Sequence, residues 1–175
     1  MSDTSQAAYN WLNKTFESHK NGIFVDSKDL ASFEAIQNFI AAHDCLKKTP
    51  VIYYQAFADE DLNEFLETLE EELRLKLGYG ASESCVTMSE VIKCAELQAV
   101  AIDRSHLYSA EMLERLSQWL ASNQISLILI ISQAELDDSA IVKHPVISQW
   151  ERFFPHRNLP FTLVSKSLNL RVSGG

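Results

Sequence analysis

Apolar residues along the chain follow two alternating patterns, one with the period of a helix and one of short continuous runs. Apolar positions three and four residues apart predict amphipathic helices, whereas short apolar runs bounded by turn residues predict strands. The helical segments cover residues 5–20, 30–46, 62–77, 87–95, 109–120 and 145–153. The strand segments cover residues 23–25, 51–54, 97–102, 126–131 and 161–164.

The order of these segments indicates the fold class. Strands that alternate with helices imply right-handed crossovers and a parallel sheet with helices on both faces. We therefore expect an α/β fold, a three-layer α/β/α sandwich around a mainly parallel five-stranded sheet. A helix at residues 1–21 precedes a single α/β domain at residues 22–175, and the alternating tail at 168–172 adds a candidate edge strand.

Composition narrows the classes of partner. The chain has 175 residues, with 15 Lys and Arg against 24 Asp and Glu, a formal net charge of −9. Because affinity for nucleic acid comes largely from neutralising phosphates, this balance argues against a direct nucleic-acid binder. The sequence suggests neither a secretory signal nor a membrane span, and its three cysteines form no metal-binding pair. We expect a cytoplasmic protein with no membrane partner.

Polar residues follow three of the predicted strands. Ligands of parallel sheets bind at the carboxyl ends of strands, so these positions are the candidates for chemistry. They are residues 26–29 after the first strand, 103–106 after the third and 132–135 after the fourth.

Two of these stretches resemble a known family. The stretch AVAIDRSHLYSAEMLERL at 99–116 resembles the Walker B segment of AAA-type P-loop ATPases, in which an apolar strand ends in Asp-Glu-Ala-His-Leu. Residues 127–150 are similar to the region after the fourth strand in the subgroup of TniB/TnsC-type transposition regulators and ExeA/GspA-type secretion ATPases. The resemblance covers most of residues 20–155, and the matching side chains are Asp103, His106, Gln133, Glu135 and Leu136.

The departures from that family concern the residues that hold and hydrolyse nucleotide. A P-loop needs glycines after the first strand, yet none lies between Val25 and the next helix, and Lys28 has the wrong spacing. Arg104 occupies the position that resembles the catalytic glutamate, and an arginine cannot orient the attacking water as a carboxylate does. The resemblance thus implies a degenerate Walker B segment at Asp103, Arg104 and His106, and sensor-like positions at Ser132 and Gln133.

These departures predict a non-catalytic, pseudo-ATPase regulatory module that binds no cofactor or metal. The resemblance implies protein partners, either an active AAA-type ATPase or a second copy of the chain. We expect no helical lid domain, although the family usually carries one after this core. An apolar cluster of Trp150, Phe153 and Phe154 is a candidate interface, and the neighbouring Arg152 resembles an arginine that reaches nucleotide in the family.

Two alternatives stay open at the level of sequence. The first is a small α/β enzyme that uses Asp103, His106 and Ser132 at the strand ends, with His106 as general base. The second is a regulatory domain similar to the STAS anti-sigma-antagonist fold, with Ser105 or Ser109 near its phosphorylated position. A sheet that starts with a hairpin would favour this second alternative.

Overall fold

A computed structural model describes residues 3–18, 21–26, 31–43, 49–78, 80, 83–132, 143, 161–164 and 173–174. The helices are α1 (Asp3–Glu17), α2 (Ala31–His43), α3 (Leu62–Leu77), α4 (Met88–Ala95) and α5 (Ala110–Ser122), with a 3₁₀ helix at Ser105–Leu107. The strands are β1 (Asn21–Asp26), β2 (Val51–Gln55), β3 (Ala99–Asp103), β4 (Ser126–Ser132), β5 (Phe161–Val164) and β6 (Ser173–Gly174). None of these helices is long and apolar enough to cross a bilayer.

The described strands form one open sheet in the order β2-β3-β4-β1-β5-β6. The pairs from β2 through to β5 are parallel, which confirms the predicted α/β fold with a parallel sheet. The sheet differs from the five-stranded expectation, because β6 adds a sixth, antiparallel strand on β5. The candidate edge strand at 168–172 lies outside the described residues.

Helices cover both faces of the sheet, and the strand order explains which face each one takes. Ala99 and Ala101 of β3 face α1 and α2, whereas Val100 and Ile102 face α3, α4 and α5. The step from β1 to β2 runs across the sheet in one direction, and the steps from β2 to β3 and β4 run back. Because right-handed crossovers in opposite directions place their helices on opposite faces, α2 lies on one face and α3 to α5 on the other.

The helix predicted at residues 62–77 is confirmed by α3. The sequence offers Asp59 or Asp61 as its cap, and the structure uses Asp61, which forms a reciprocal capping box with Glu64. The apolar stripe of α3, the side chains that face the sheet, is buried at Phe65, Leu69, Leu73 and Leu77. The helix stops at Gly78, whose φ of +79° suits a residue without a side chain.

One expectation about the first helix is wrong. A glycine often follows the last residue of a helix, which predicts that Gly22 ends the first one. In the structure α1 ends at Glu17, and Gly22 lies inside β1, where it pairs with Ile128 and Thr162. The physical reason is tertiary, since β1 is held between β4 and β5 and the ladder extends the strand back to include the glycine. The helix itself belongs to the core, because Phe16 meets Phe39 of α2 edge to face.

Two leucines of α3 give a matched test of this core. Leu69 is 0% exposed and Leu75 is 76% exposed on the same helix. We expect Leu69→Ala to lower the free energy of unfolding by about 2–5 kcal/mol, because it removes buried apolar atoms and leaves a cavity. Leu75→Ala should change it by no more than about 0.5 kcal/mol. Urea denaturation of both variants measures the difference, and equal losses would contradict the burial of this stripe.

Candidate functional site

The parallel register brings the candidate residues to a single edge of the sheet. Asp103 at the end of β3 pairs with Gln55 at the end of β2, and Ser132 at the end of β4 pairs with Asp26 at the end of β1. All four positions therefore lie at the carboxyl edge, where the loops that follow the strands begin. This is the edge at which parallel sheets bind their ligands.

Asp103, the central residue of the Walker B-like segment, is bonded within the protein through both carboxylate oxygens. The hydroxyl of Tyr53 donates a hydrogen bond to Oδ2, and the backbone N–H of Arg104 donates to Oδ1 at 2.8 Å. Tyr53 lies in the middle of the neighbouring strand β2, so this bond links β2 to the end of β3. The carboxylate of Asp103 therefore has a structural role, because it is hydrogen-bonded to β2 and to the turn after β3.

The residues after Asp103 turn sharply and are fixed to the next strand. Arg104 has a φ of +54°, a left-handed conformation that costs a residue with a side chain roughly 1–2 kcal/mol. The buried Ser105 then donates its hydroxyl to the carbonyl of Ile130 in β4 at 2.9 Å. His106 lies half-buried in the 3₁₀ helix that this bond holds in place. The segment is therefore a rigid, packed corner of the fold.

A second carboxylate at this edge is held between two tyrosines. The hydroxyls of Tyr54 and Tyr108 both donate to Glu60, the first to Oε1 and the second to Oε2. The run of acidic residues from Glu60 to Glu72 predicts that Glu60 lies on the solvated face of the helix, but Glu60 precedes α3 and is only half-exposed. The expectation failed because the helix begins at Leu62, so helical periodicity does not apply to Glu60.

The two tyrosines remain protonated donors over a wide pH range. Burial raises the pKa of Tyr54 and of Tyr108 above the usual phenol value, and the hydrogen bond to Glu60 and its negative charge raise both further. A phenol with a raised pKa is a poor general base. The cluster Tyr54–Glu60–Tyr108 is consequently suited to holding the loop after β2 against the corner after β3.

A cavity of about 420 Å³ opens beside this cluster, between the beginnings of α3 and α5. Its lining carries four carboxylates and one guanidinium together with a few apolar side chains. The lining residues are Asp59, Glu60, Asp61, Leu62, Leu107, Tyr108, Ser109, Glu111, Met112 and Arg115. This excess of negative charge disfavours a polyphosphate. Within the described part of the chain, no group of three or more His, Cys, Asp or Glu residues is arranged to hold a metal ion.

Several predicted site residues fall outside the description. Gln133 and the candidate interface of Trp150, Arg152, Phe153 and Phe154 lie outside the described residues, and only the backbone of Ser132 is described. The strand register places Ser132 at the same edge of the sheet as Asp103, and His106 follows Asp103 in the 3₁₀ helix.

Four residues of this edge were missed as functional candidates by the sequence reasoning: Tyr53, Tyr54, Glu60 and Tyr108. The run Val51-Ile52-Tyr53-Tyr54 predicts a strand, and this pattern alone does not mark the two phenols as functional groups. The sequence does contain a signal for them. Tyr53 and Tyr54 end the predicted strand 51–54, and carboxylates follow both this strand and the next one, 97–102.

Comparison of the chain with models of known protein families finds no match. A search of curated proteins likewise finds none that matches.

The tyrosine cluster predicts a specific loss of stability in alkali. In the unfolded chain Tyr54 and Tyr108 lose their protons near pH 10, whereas the folded chain keeps them protonated, so stability falls as the pH rises above about 10. In the variant Tyr54→Phe/Tyr108→Phe the free energy of unfolding should fall less steeply with pH, by up to about 2.7 kcal/mol per pH unit. Each tyrosine that loses its proton only on unfolding contributes ~1.36 kcal/mol per pH unit to the slope. Urea denaturation from neutral to alkaline pH measures the slopes. If the free energy of unfolding fell equally steeply with pH in the two proteins, the hydrogen bonds of the cluster Tyr54–Glu60–Tyr108 would be refuted.

Proposed function

We propose that this protein is a non-catalytic regulatory module that uses an AAA-type core for protein contacts and does not hydrolyse nucleotide. The connection from β1 to α2 carries this proposal. Residues 27–30 follow β1 in the sequence, and none of them is a glycine. A phosphate-binding P-loop has the pattern G-x-x-x-x-G-K-[ST], whose glycines let the backbone N–H groups approach the phosphates.

The strand order supports the AAA-type part of the proposal. In the AAA-type core the strand that leads into the P-loop lies between the fourth and fifth strands, and the second and third strands lie beyond the fourth. The order β2-β3-β4-β1-β5 is of this kind. By contrast, β1 and β2 are separated by two strands, so the described residues contain no hairpin at the start of the sheet, the feature that would favour a STAS-like domain.

The chemistry of the carboxyl edge supports the non-catalytic part. In an active P-loop ATPase the carboxylate at the end of the third strand helps to hold magnesium, but here Tyr53 and the Arg104 amide both donate to Asp103. Recruiting Asp103 to a magnesium ion would mean giving up these bonds. The acidic lining of the neighbouring cavity adds repulsion against a triphosphate.

Exposed apolar side chains support a role in protein contacts. Among the described residues, the large hydrophobic side chains that face solvent are Phe57, Leu75 and Val86. Arg74, which precedes Leu75 in α3, donates from its guanidinium to the backbone carbonyl of Cys85 at 2.7 Å and to that of Val86 at 3.5 Å. The family resemblance makes an active AAA-type ATPase the partner we propose, with self-association as the other outcome of the test.

Nucleotide binding gives the direct test of the non-catalytic role. We expect millimolar MgATP to leave the Tm of the protein unchanged, because a ligand raises the Tm only if it binds the folded state. Asp103→Asn should lower the free energy of unfolding by about 1–3 kcal/mol, because it weakens the hydrogen bond that the carboxylate accepts from Tyr53. MgATP should leave the Tm of this variant unchanged as well. A rise in Tm with MgATP that Asp103→Asn abolishes would overturn the proposal, as would ATP turnover.

Partner binding tests the regulatory role. We expect the tagged protein to capture an ATPase with an intact P-loop, identified by mass spectrometry and re-formed from purified components in mass photometry. Leu75→Asp should weaken that complex at least about tenfold, since burying a leucine contributes ~1.5–3 kcal/mol. Asn63→Asp adds the same charge at an exposed position of α3 and should leave binding unchanged.

Two results would count against this partner assignment. A protein that stays monomeric and captures no such ATPase contradicts the regulatory role. Equal effects of the Leu75 and Asn63 substitutions contradict the placement of the contact at Leu75.

A further inference from the structure

Two thiols lie together on the face of the sheet covered by α3, α4 and α5. The Sγ atom of Cys85 is 2.9 Å from the Sγ atom of Cys94, and no disulfide bond joins the two cysteines. Cys85 is only 3% exposed, whereas Cys94, in the last turn of α4, faces solvent. One sulfur is thus accessible to a reagent in solution, and the other lies directly behind it.

The backbone around this pair is firmly anchored. Thr87 and Glu90 form the capping box of α4, and the carboxylate of Glu90 also accepts the N–H of Val86 at 2.7 Å. Arg74 of α3 donates to the carbonyl of Cys85 at 2.7 Å and forms an ion pair with Glu70 at 2.8 Å. Because these bonds fix the segment before the helix, little conformational entropy has to be lost to bring the two sulfurs together.

We propose that Cys85 and Cys94 form a redox modification site, in which the two thiols close to a reversible intramolecular disulfide by exchange with glutathione disulfide. The inference does not depend on the proposed regulatory function. It rests on the separation of the two sulfurs, on their unequal exposure and on the anchored segment that joins them.

The reaction proceeds in two exchanges. The Cys94 thiolate attacks one sulfur of glutathione disulfide, a protein–glutathione bond forms, and one glutathione thiolate leaves and takes up a proton. The Cys85 sulfur, on losing its proton, attacks the Cys94 sulfur, and the second glutathione leaves and is protonated. The two protein thiols have then lost two electrons and two protons, and glutathione disulfide has been reduced to two glutathione molecules.

The surroundings of Cys94 determine the rate of the first exchange, because they determine how readily its thiol loses a proton. The hydrogen bond with Cys85 raises the pKa of the Cys94 thiol, burial and the charge of Glu90 raise it further, and Lys93 opposes them. Since the thiolate is the attacking species, the first exchange is slow at neutral pH. The second exchange is intramolecular between adjacent sulfurs, so the mixed disulfide should not accumulate.

The test uses the full-length protein with Cys45→Ser, which restricts disulfide formation to this pair. The protein is equilibrated in buffers of glutathione and glutathione disulfide, quenched with acid, and examined by intact mass and by peptide mapping. We expect a species lighter by two hydrogen atoms, with a link between the peptides that contain Cys85 and Cys94 and with no bound glutathione. Its Tm should lie above that of the reduced protein, because the disulfide closes a loop of the chain.

Two single variants separate the roles of the sulfurs. Cys85→Ser retains the exposed thiol and should accumulate a glutathione adduct on Cys94. Cys94→Ser removes the accessible sulfur and should resist modification under the same conditions. Retained helical circular dichroism in both variants shows that the comparison is made on folded protein.

The proposal is overturned if the protein with both cysteines accumulates the same glutathione adduct as Cys85→Ser. It is overturned equally if the pair stays reduced in a buffer that modifies Cys85→Ser fully.

Discussion

The parallel ladder of β4 between β3 and β1 is the constraint on which the rest of the structure depends. Residues 127–131 of β4 are all at most 2% exposed, because helices cover the sheet on both faces. At about 25 cal/mol per Å² of apolar surface, burial of such a strand stabilises the fold strongly, and a polar side chain at these positions would be costly. Polar chemistry is therefore confined to the strand ends.

At the carboxyl edge the polar groups bond to one another. Asp103 accepts from Tyr53 and from the Arg104 amide, and Glu60 accepts from two further tyrosines. A site that grips phosphate presents backbone N–H groups and cations to the ligand. This edge instead presents carboxylates, bonded to neutral phenol donors. Among the described residues, this arrangement links the loop after β2 to the corner after β3 and uses the phenol donors for carboxylates of the protein itself, which supports the non-catalytic proposal.

Local sequence pattern predicted the elements well and their spatial arrangement less well. Periodicity predicts the apolar face of α3 and the apolar run of β4, because both depend on neighbouring residues. Capping chemistry offers Thr87 or Ser89 as the first residue of α4, and the structure uses Thr87. The pairing of Tyr53 with Asp103 depends on the register of two strands nearly fifty residues apart, which no local pattern encodes. Gly22 shows the same limit, since its place in β1 is decided by the two strands that flank it.

The two regions singled out for function lie at opposite ends of one strand. α4, which carries Cys94, ends at Ala95, four residues before β3 begins, whereas Asp103 is the last residue of β3. Five residues of strand span roughly 16 Å, and β3 is hydrogen-bonded along its length to β2 and β4. Coupling between distant sites requires an element with two alternative arrangements, and a strand held on both sides is a poor candidate for one. Oxidation of the thiol pair should therefore act locally on α4 and its exposed surroundings, where Val86 also lies, and leave the chemistry of the carboxyl edge unchanged.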